Sequence, residues 1–429
     1  MFEITKEARL NSNFFFVRKI HNFLFLMKGV MCMELYNKYK EMMDNYGQHE
    51  IFMINYIDSE ANKYDVDFVY RFRDKFIALV KLGKTVRDRA NVIVSHVDSP
   101  RLDVIVGNPF IVNKDGVFLK TVPYGGIIFQ SWMNIPLVLV GRVWVDEEIK
   151  YINTKGIYEF TITSLLPHLD GRKEMKDLKP DKLLVRIGDN KEEVLDLFES
   201  VCGITEKDFE LADLSFVPSY NVKELGFDKD LIASYGHDDK SCAFASLQAF
   251  FDSGDTDVTK IVIFASYEET GSAQTTGCQS EIINDVFLEL TDNVKSYRGM
   301  IRNSSVISAD VCAGYEGKYS SHFEECASAV VGKGVGIIPY LGQKRGNDTE
   351  FRFRNEIKEL AINNNIPYQI ETTKITEGGG GTVSTFFATK GCHVIDVGVP
   401  VLAMHSPQEI ISKKDLKAMY DLFKAFYEI

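Results

Sequence analysis

The sequence lacks the features of a disulfide-stabilised protein. It has 429 residues but only seven cysteines, which are scattered along the chain and form no C-x-x-C motif. A disulfide framework needs closely spaced cysteines that are even in number, whereas an odd number of dispersed cysteines is typical of reduced thiols in a cytosolic protein. The sequence therefore predicts a cytoplasmic protein without structural disulfides.

The sequence also lacks an excess of positive charge. The formal net charge is -12 at pH 7, which argues against binding to nucleic acid or to an anionic membrane surface. Hydrophobic residues make up 45% of the chain and charged residues 26%, as in ordinary globular proteins. The length allows roughly two to three domains.

No uninterrupted apolar run is long enough to cross a membrane. Residues 14–30 are rich in Phe and Leu, but four basic residues interrupt them: Arg18, Lys19, His21 and Lys28. A membrane-spanning helix needs about 20 mostly apolar residues. Glu3 and Glu7 stand where a signal peptide would be basic, and no A-x-A cleavage site follows. We therefore expect an amphipathic helix that packs on the body of the protein.

The rest of the chain shows two different patterns of apolar residues. From residue 102 to about 234, short alternating apolar runs are separated by turn signals such as Lys114-Asp115-Gly116, which predicts an inserted, mainly β domain. From 235 onwards, helical and strand patterns alternate, as in a sheet covered by helices. We therefore predict an α/β fold. A mixed, largely parallel sheet flanked by helices would comprise residues 1–101 and 235–429, and the insert would comprise 102–234.

A pair of adjacent carboxylates is the most informative short motif. Glu268 and Glu269 follow the apolar run Ile261–Ala265, and Gly271 allows the chain to turn away. At the end of a strand, one such residue can hold a metal while the other acts as a base for a metal-activated water. The alternative is a solvated loop, because Glu is mostly exposed in proteins.

His96 and Asp98 form a second candidate pair. They follow the apolar core Val92–Val94 and are two residues apart, so both point to one face of an extended chain. A carboxylate that holds the far nitrogen of a histidine is common beside metal ligands. The alternative is an ordinary surface histidine in a loop.

Three further candidates stand at the ends of predicted elements. Asp238 and Asp239 precede an amphipathic helix over 243–251, where they could also serve as an N-cap and a first-turn acid. Asp310 ends a short predicted strand that begins at Ser304, and His405 follows the predicted strand His393–Val399.

Other motifs are weaker. The glycine run Glu377–Thr382 opens a predicted helix and suits an anion or a peptide carbonyl, although the lysine of a P-loop is absent. His168 is on its own more typical of a structural loop histidine. Cys312 and Cys326 flank His322, but we expect loop residues there and no activated thiol.

Together, the candidates predict a metal centre. Ligands at the carboxyl ends of parallel strands meet in one crevice of an open α/β sheet. The five candidate ligands are His96, Asp238, Glu269, Asp310 and His405. Two imidazoles and three carboxylates without a thiolate suit Zn, Mn or Co. One carboxylate can bridge two such ions, as in two-metal hydrolases.

The order of these motifs resembles that of the dinuclear zinc aminopeptidases and their carboxypeptidase relatives. More specifically, the segments S-H-V-D-S-P-R-L-D, I-S-A-D, E-G-G-G-G-T and V-L-A-M-H-S resemble the bacterial form of the aspartyl aminopeptidase family, metallopeptidase family eighteen. The resemblance covers the chain from about Lys84 onwards. It implies a zinc-exopeptidase-like fold.

The resemblance also implies roles for individual residues. Asp238 would bridge two ions, His96 and Asp310 would complete one site, and Glu269 and His405 would complete the other. Asp98 would orient His96, and Glu268 would be the general base. His168 matches the family's P-H-L motif, whose histidine reaches a neighbouring subunit's active site.

Two assignments stay open at this point. The sequence G-H-D-D-K leaves Asp239 as an alternative bridging residue. A cation for acidic substrates has only Lys333 as a candidate, so the preferred N-terminal residue is not determined.

The sequence thus predicts a metalloaminopeptidase that acts on peptides. A hydroxide held between two divalent ions would attack the first peptide carbonyl, with Glu268 as the base. Zinc is the first choice of metal, with cobalt or manganese as alternatives. Family members assemble as homo-dodecamers with tetrahedral symmetry. The rival hypotheses are a related carboxypeptidase or deacylase and a non-enzymatic scaffold of the same fold, although no ligand is missing.

Overall fold

The computed structural model describes residues 31–291, 294–340, 348–372, 374 and 382–429. The predicted N-terminal amphipathic helix and glycines 378–381 lie outside these ranges. Within them, no helix is long and apolar enough to cross a membrane. All seven cysteines are described and have free thiols.

The structure alternates strands and helices. The helices are α1 31–46, α2 Glu50–Ala61, α3 Gly171–Lys176, α4 Lys191–Leu197, α5 His237–Asp252, α6 Ile282–Leu288, α7 Val294–Asn303, α8 Phe351–Asn363, α9 Ser384–Ala388 and α10 Lys413–Tyr427. The strands are β1 Phe68–Phe72, β2 Phe76–Lys81, β3 Val86–His96, β4 Arg101–Val104, β5 Phe110–Asn113, β6 Gly116–Tyr124, β7 Leu137–Val145, β8 Glu148–Asn153, β9 Leu184–Gly188, β10 Asp213–Pro218, β11 Lys223–Leu225, β12 Leu231–Ser234, β13 Val258–Ala265, β14 Ser305–Ala309, β15 Cys312–Ala313, β16 Val335–Tyr340, β17 Tyr368–Thr372, β18 His393–Gly398, β19 Pro400–Val401 and β20 Glu409–Ser412.

The main sheet has eight strands in the order β1-β2-β13-β3-β14-β18-β16-β17. Its four central strands, β13, β3, β14 and β18, are parallel to one another. β2 and β16 run antiparallel to their central neighbours. The predicted α/β fold with a mixed, largely parallel sheet is therefore confirmed.

Helices cover both faces of this sheet. In β3, Ile93 belongs to a core cluster that includes residues of α1, α2, α5, α8 and α10, whereas Val92 and Val94 belong to a second cluster with residues of α6, α7 and α9. All three side chains are fully buried. Burial on both faces explains why the central strands are continuous apolar runs and not alternating ones.

A second, antiparallel sheet contains the strands of the predicted insert. Its order is β5-β6-β4-β10-β7-β8, and β9 pairs with β6. It encloses its own core, which includes the fully buried Trp132 and Phe216. The predicted β-rich character of this part is confirmed, and it also contains α4, which continues into the π-helical turn Phe198–Cys202.

A small third sheet joins the two parts. β11 and β12, which lie in the predicted insert, pair with β20 near the C-terminus. The domain boundaries at residues 101/102 and 234/235 stay a prediction. For the functional site, the important pairing is that of Ser234 with Glu409, because the chain segments on either side of it carry candidate ligands.

Candidate metal centre

Three neighbouring parallel strands end at the same edge of the main sheet. β3 lies between β13 and β14. β3 ends at His96, Asp310 directly follows β14, and Glu268 and Glu269 lie in a 3-10 turn just beyond β13. This edge is where the sequence predicted that these side chains would meet.

Two further ligand candidates reach this edge through the third sheet. Asp238 lies in the first turn of α5, directly after β12, and His405 lies in the loop between β19 and β20. The antiparallel pairing of β12 with β20 brings these two segments together.

The five predicted ligands gather around Asp238. Its Oδ1 lies 3.2 Å from His96 Nε2, and its Oδ2 lies 3.3 Å from His405 Nε2. His405 Nε2 lies 3.4 Å from Glu269 Oε2, and His96 Nε2 lies 3.9 Å from Asp310 Oδ1. The two oxygens of one carboxylate therefore face two histidines that come from distant parts of the sequence.

Both histidines present the same ring nitrogen to Asp238. His96 Nδ1 donates to the backbone carbonyl of Asp98 at 3.0 Å, and His405 Nδ1 donates to the carbonyl of Gly126 at 2.7 Å. A hydrogen bond at one nitrogen of an imidazole fixes the tautomer and leaves the other nitrogen as an acceptor. Each Nε2 is thus available to a metal ion.

Asp98 supports more of the site than the sequence predicted. Its side chain is fully buried and lies 3.4 Å from His96 Nδ1. It also accepts hydrogen bonds from the backbone N–H groups of Glu268 and Glu269 at 3.3 and 3.2 Å. The Tyr124 hydroxyl donates to Asp98 Oδ2 at 2.7 Å. Asp98 therefore connects the end of β3 to the turn that carries both glutamates.

The Glu268–Glu269 turn depends on two left-handed residues. Tyr267 has φ 65° and Gly271 has φ 93°. Glycine adopts this conformation readily, in agreement with the turn predicted at Gly271. The Glu269 side chain is only 4% exposed, so the alternative of a solvated loop is wrong for this residue.

Two further buried carboxylates, those of Asp239 and Glu409, lie beside the cluster. The sequence indicates Asp239 only as an alternative and does not indicate Glu409. Asp239 is fully buried, its Oδ2 accepts from the His96 backbone N–H at 3.3 Å, and its ligand atoms lie within 4.8 Å of those of His96 and Asp310. Glu409 accepts from the backbone N–H groups of Asp238 and His405. The sequence flagged Asp239 by its position, but Glu409 follows a Ser-Pro-Gln run that resembles an ordinary turn.

Without bound cations, the cluster cannot keep all of its buried carboxyl groups ionised. Burial raises the pKa of Glu268 to about 7. Burial, with the neighbouring Asp238, raises the pKa of Glu269 well above its usual value. Burial, with the neighbouring Asp239, does the same to the pKa of Asp310. Cations at this position would relieve the repulsion between these groups.

The pKa values of the two imidazoles are raised as well, which for a histidine favours the charged form. Although burial alone would lower the pKa of His96, its contacts with Asp238 and Asp98 raise it well above the usual value. For His405, burial is again outweighed by Asp238 and Glu269, which raise the pKa to about 10. The same two histidines hold the pKa of Asp238 below its usual value despite burial. The field at the cluster thus strongly favours positive charge.

The side chains fit divalent ions. Glu269 Oε1 and Asp239 Oδ1 are buried and have no hydrogen-bond partner in the described part of the chain, an arrangement that costs free energy unless a cation compensates it. Ligand atoms of His96, Asp238 and Glu269 lie within 4.8 Å of one another. Nitrogen and oxygen donors of this kind suit zinc and its neighbours in the first transition row.

Not every predicted residue joins the cluster. His168 is exposed in the 3-10 turn Pro167–Leu169. In the described ranges it makes no hydrogen bond or ion pair with the five ligands, and its role across a subunit boundary stays a prediction. Lys333 is exposed as well.

The structure corrects the prediction at Cys312, which lies in the short strand β15 and not in a loop. Burial and the neighbouring Glu371 raise the pKa of its thiol well above the usual value. This disfavours the thiolate, in agreement with the expected absence of thiol chemistry.

Comparison with known proteins gives one consistent result. A model of the family described as Aminopeptidase I zinc metalloprotease (M18) matches residues 25–427. A Borreliella burgdorferi (strain ZS7) protein described as a probable M18 family aminopeptidase 1 is 36% identical over 391 residues, which cover 83% of this chain and 85% of that protein.

Solved structures agree with this result. The crystal structure of an M18 family aminopeptidase from Thermotoga maritima superposes with a TM-score of 0.88 at 30% identity, and the match covers 93% of this chain and 96% of the other. The S. cerevisiae mApe1 dodecamer superposes with a TM-score of 0.78 at 18% identity, over 91% and 95% of the two chains. The second likeness shows a shared fold.

Proposed function

Because the chain belongs to the M18 family of aminopeptidase I zinc metalloproteases, and is thus a hydrolase of the aminopeptidase class, we propose that the cluster around Asp238 is its active site. The site would hold two divalent ions and remove N-terminal residues from peptides. The observation that carries this proposal is the placement of Asp238 Oδ1 and Oδ2 at 3.2 and 3.3 Å from His96 and His405.

Each half of the cluster would hold one ion. His96 and Asp310 lie on one side of Asp238, and Glu269 and His405 lie on the other. The geometry favours Asp238 over Asp239 as the shared ligand, because Asp239 contacts the backbone of His96 and has no recorded contact with His405 among the described residues. Zinc is the metal that the family description supports, and cobalt or manganese could replace it.

Ions held by these residues would polarise the scissile carbonyl and make the attacking water more acidic. Glu268 would accept the proton of that water and then pass it to the leaving amine. Its place beside Glu269, at the end of β13, supports this role, because Asp98 holds the backbone N–H groups of both residues. The free α-amine of the substrate would bind an ionised carboxylate of the cluster, which accounts for exopeptidase action.

We also propose a homo-oligomer, with a tetrahedral dodecamer as the specific form. The dodecameric assembly of the structurally similar mApe1 supports this proposal. His168 would then act at the site of a neighbouring copy, where it or backbone N–H groups would stabilise the developing oxyanion. The exposed position of its turn supports such a contact. The scattered thiols support a cytoplasmic location.

The substitution Glu268→Gln tests the base assignment. Removal of a general base costs about 10²- to 10⁴-fold in rate, so kcat should fall by at least about 100-fold while the zinc content stays unchanged. Glu148→Gln, at an exposed position of β8, is the matched control and should keep full activity. Near wild-type turnover of Glu268→Gln would contradict the assignment.

A substrate panel tests the reaction class. Peptides with a free N-terminus should be cleaved in the presence of zinc, cobalt or manganese, whereas the same peptides with an acetylated N-terminus should resist. Cleavage from the carboxyl end, or of the acetyl group, would support the rival carboxypeptidase or deacylase instead. The panel would also identify the preferred N-terminal residue.

A further inference from the structure

Glu409 joins the two chain segments that carry Asp238 and His405. Its Oε2 accepts the Asp238 backbone N–H at 2.9 Å, and its Oε1 accepts the His405 backbone N–H at 2.6 Å. The side chain is 1% exposed. One carboxylate therefore uses both oxygens to hold the backbones of two ligand-bearing residues that are far apart in sequence.

The position of Glu409 is itself fixed. It is the first residue of β20 and pairs with Ser234, the last residue of β12. His405 lies in the loop that precedes this strand, and its backbone is left-handed, with φ 64°. Residues other than glycine adopt this conformation seldom, and it persists where neighbouring contacts hold it. The hydrogen bond from its N–H to Glu409 is such a contact.

We infer that Glu409 is a positioning residue that sets the spacing between Asp238 and His405 and thereby the affinity of the ion on the Glu269–His405 side. The inference rests on the proposed function. Glu409 would act through the backbone and not as a ligand, since each of its oxygens accepts a backbone N–H and it belongs to neither group of converging ligand atoms among the described residues. On the other side of the cluster, His96 and Asp310 extend directly from β3 and β14, so their spacing follows from the sheet itself.

The substitution Glu409→Gln keeps the size of the side chain but leaves a single acceptor oxygen. The amide NH₂ group would face a backbone N–H, which gives two donors in contact and one lost hydrogen bond. Loss of a residue that supports a metal ligand typically costs about 10- to 100-fold in metal affinity. We expect this loss for the ion on the His405 side, because the Asp238 backbone keeps a second contact through its carbonyl, which accepts a hydrogen bond from the Ser99 hydroxyl.

Asp415 provides a matched control. It is fully buried in α10, and its two oxygens also accept two backbone N–H groups, those of Gly332 and Gly334. Neither glycine is a candidate ligand. Asp415→Asn therefore removes the same kind of buried, doubly bonded carboxylate and reports the effect of that loss on the fold alone.

The experiment is a zinc titration of the full chain in competition with a chromogenic chelator. It compares wild type, Glu409→Gln and Asp415→Asn, with His405→Ala to identify which binding step belongs to the His405 side. The inference predicts a 10- to 100-fold weaker step on that side for Glu409→Gln, the other step within about threefold of wild type, and both steps unchanged in Asp415→Asn. Unchanged steps in Glu409→Gln, or equal weakening of both, would overturn it.

The other outcomes of this experiment also have defined interpretations. If circular dichroism shows that Glu409→Gln is unfolded, Glu409→Asp replaces it, because the shorter acid keeps the charge but loses the reach to both segments, and the same criteria apply. Wild-type protein that binds no zinc would overturn the proposed function and the inference together. Wild type that binds two ions, with Glu409→Gln equal to it, would overturn the inference alone.

Discussion

The Tyr124 hydroxyl donates to Asp98 Oδ2 at 2.7 Å, so a residue of the second sheet completes the support of a side chain at the edge of the first. The loop that follows β6 contributes again two residues later, where the Gly126 carbonyl accepts from His405. The central carbon of the Arg101 guanidinium lies 3.8 Å from the centre of the Tyr124 ring, and Arg101 Nη1 donates a hydrogen bond to the buried Glu50. The second sheet therefore helps to support the candidate metal centre.

Tyr124→Phe should weaken the centre without unfolding the protein. The change removes one donor from a buried, charged acceptor, a loss of about 1–3 kcal/mol, so zinc affinity and kcat/KM should each fall by roughly 5- to 100-fold. Tyr427→Phe is the control, because Tyr427 is also fully buried and its hydroxyl donates to the Ile261 carbonyl in the core. It should lower the unfolding temperature but keep zinc affinity. Equal zinc affinity in the two variants would contradict the role of Tyr124.

Asp238→Asn and Asp239→Asn should differ in the number of ions bound. Asp238→Asn leaves one oxygen and one NH₂ group, which cannot bind a metal ion, so the side chain cannot serve both ions, and we expect less than one tightly bound zinc per chain. Asp239 faces only the His96 side, so Asp239→Asn should keep the ion on the His405 side. Metal analysis after dialysis measures this difference. The reverse pattern would identify Asp239 as the shared ligand.

His49, a buried residue outside the candidate metal centre, should make the free energy of unfolding depend on pH. Burial lowers the pKa of His49 to about 4, and the nearby Arg101 and Lys75 cations add to this effect. The unfolded chain therefore takes up this proton at a higher pH than the folded chain does. This contribution to the free energy of unfolding is complete at pH values above the usual histidine pKa of about 6.5. It decreases by roughly 3 kcal/mol as the pH falls towards 4.

The substitution His49→Asn isolates this contribution. His49 Nδ1 accepts the Ile51 N–H at the start of α2, and Asn is a good N-cap that does not titrate in this range. Urea unfolding at pH 7 and at pH 4.5 should show a smaller loss of stability for the variant than for wild type. Identical losses in the two proteins would exclude His49 as the source.

The sequence allowed much of the site to be predicted, because strand ends are local features. Glu269 and Asp310 were identified from apolar runs that stop at an acid, and the parallel arrangement then requires these ends to meet. The supporting contacts could not be predicted in this way. Tyr124 reaches Asp98 from another sheet, and Glu409 acts through the pairing of β12 with β20, so both depend on tertiary structure that no local pattern specifies.

The position of β20 has a consequence for biosynthesis. His405 and Glu409 reach Asp238 only through the pairing of β20 with β12, and β20 is the last strand before the C-terminal helix α10. While these residues are still inside the ribosome, a growing polypeptide has four of the five candidate ligands and lacks His405. The proposed ion site on the His405 side would therefore be completed only after β20 has emerged and paired with β12.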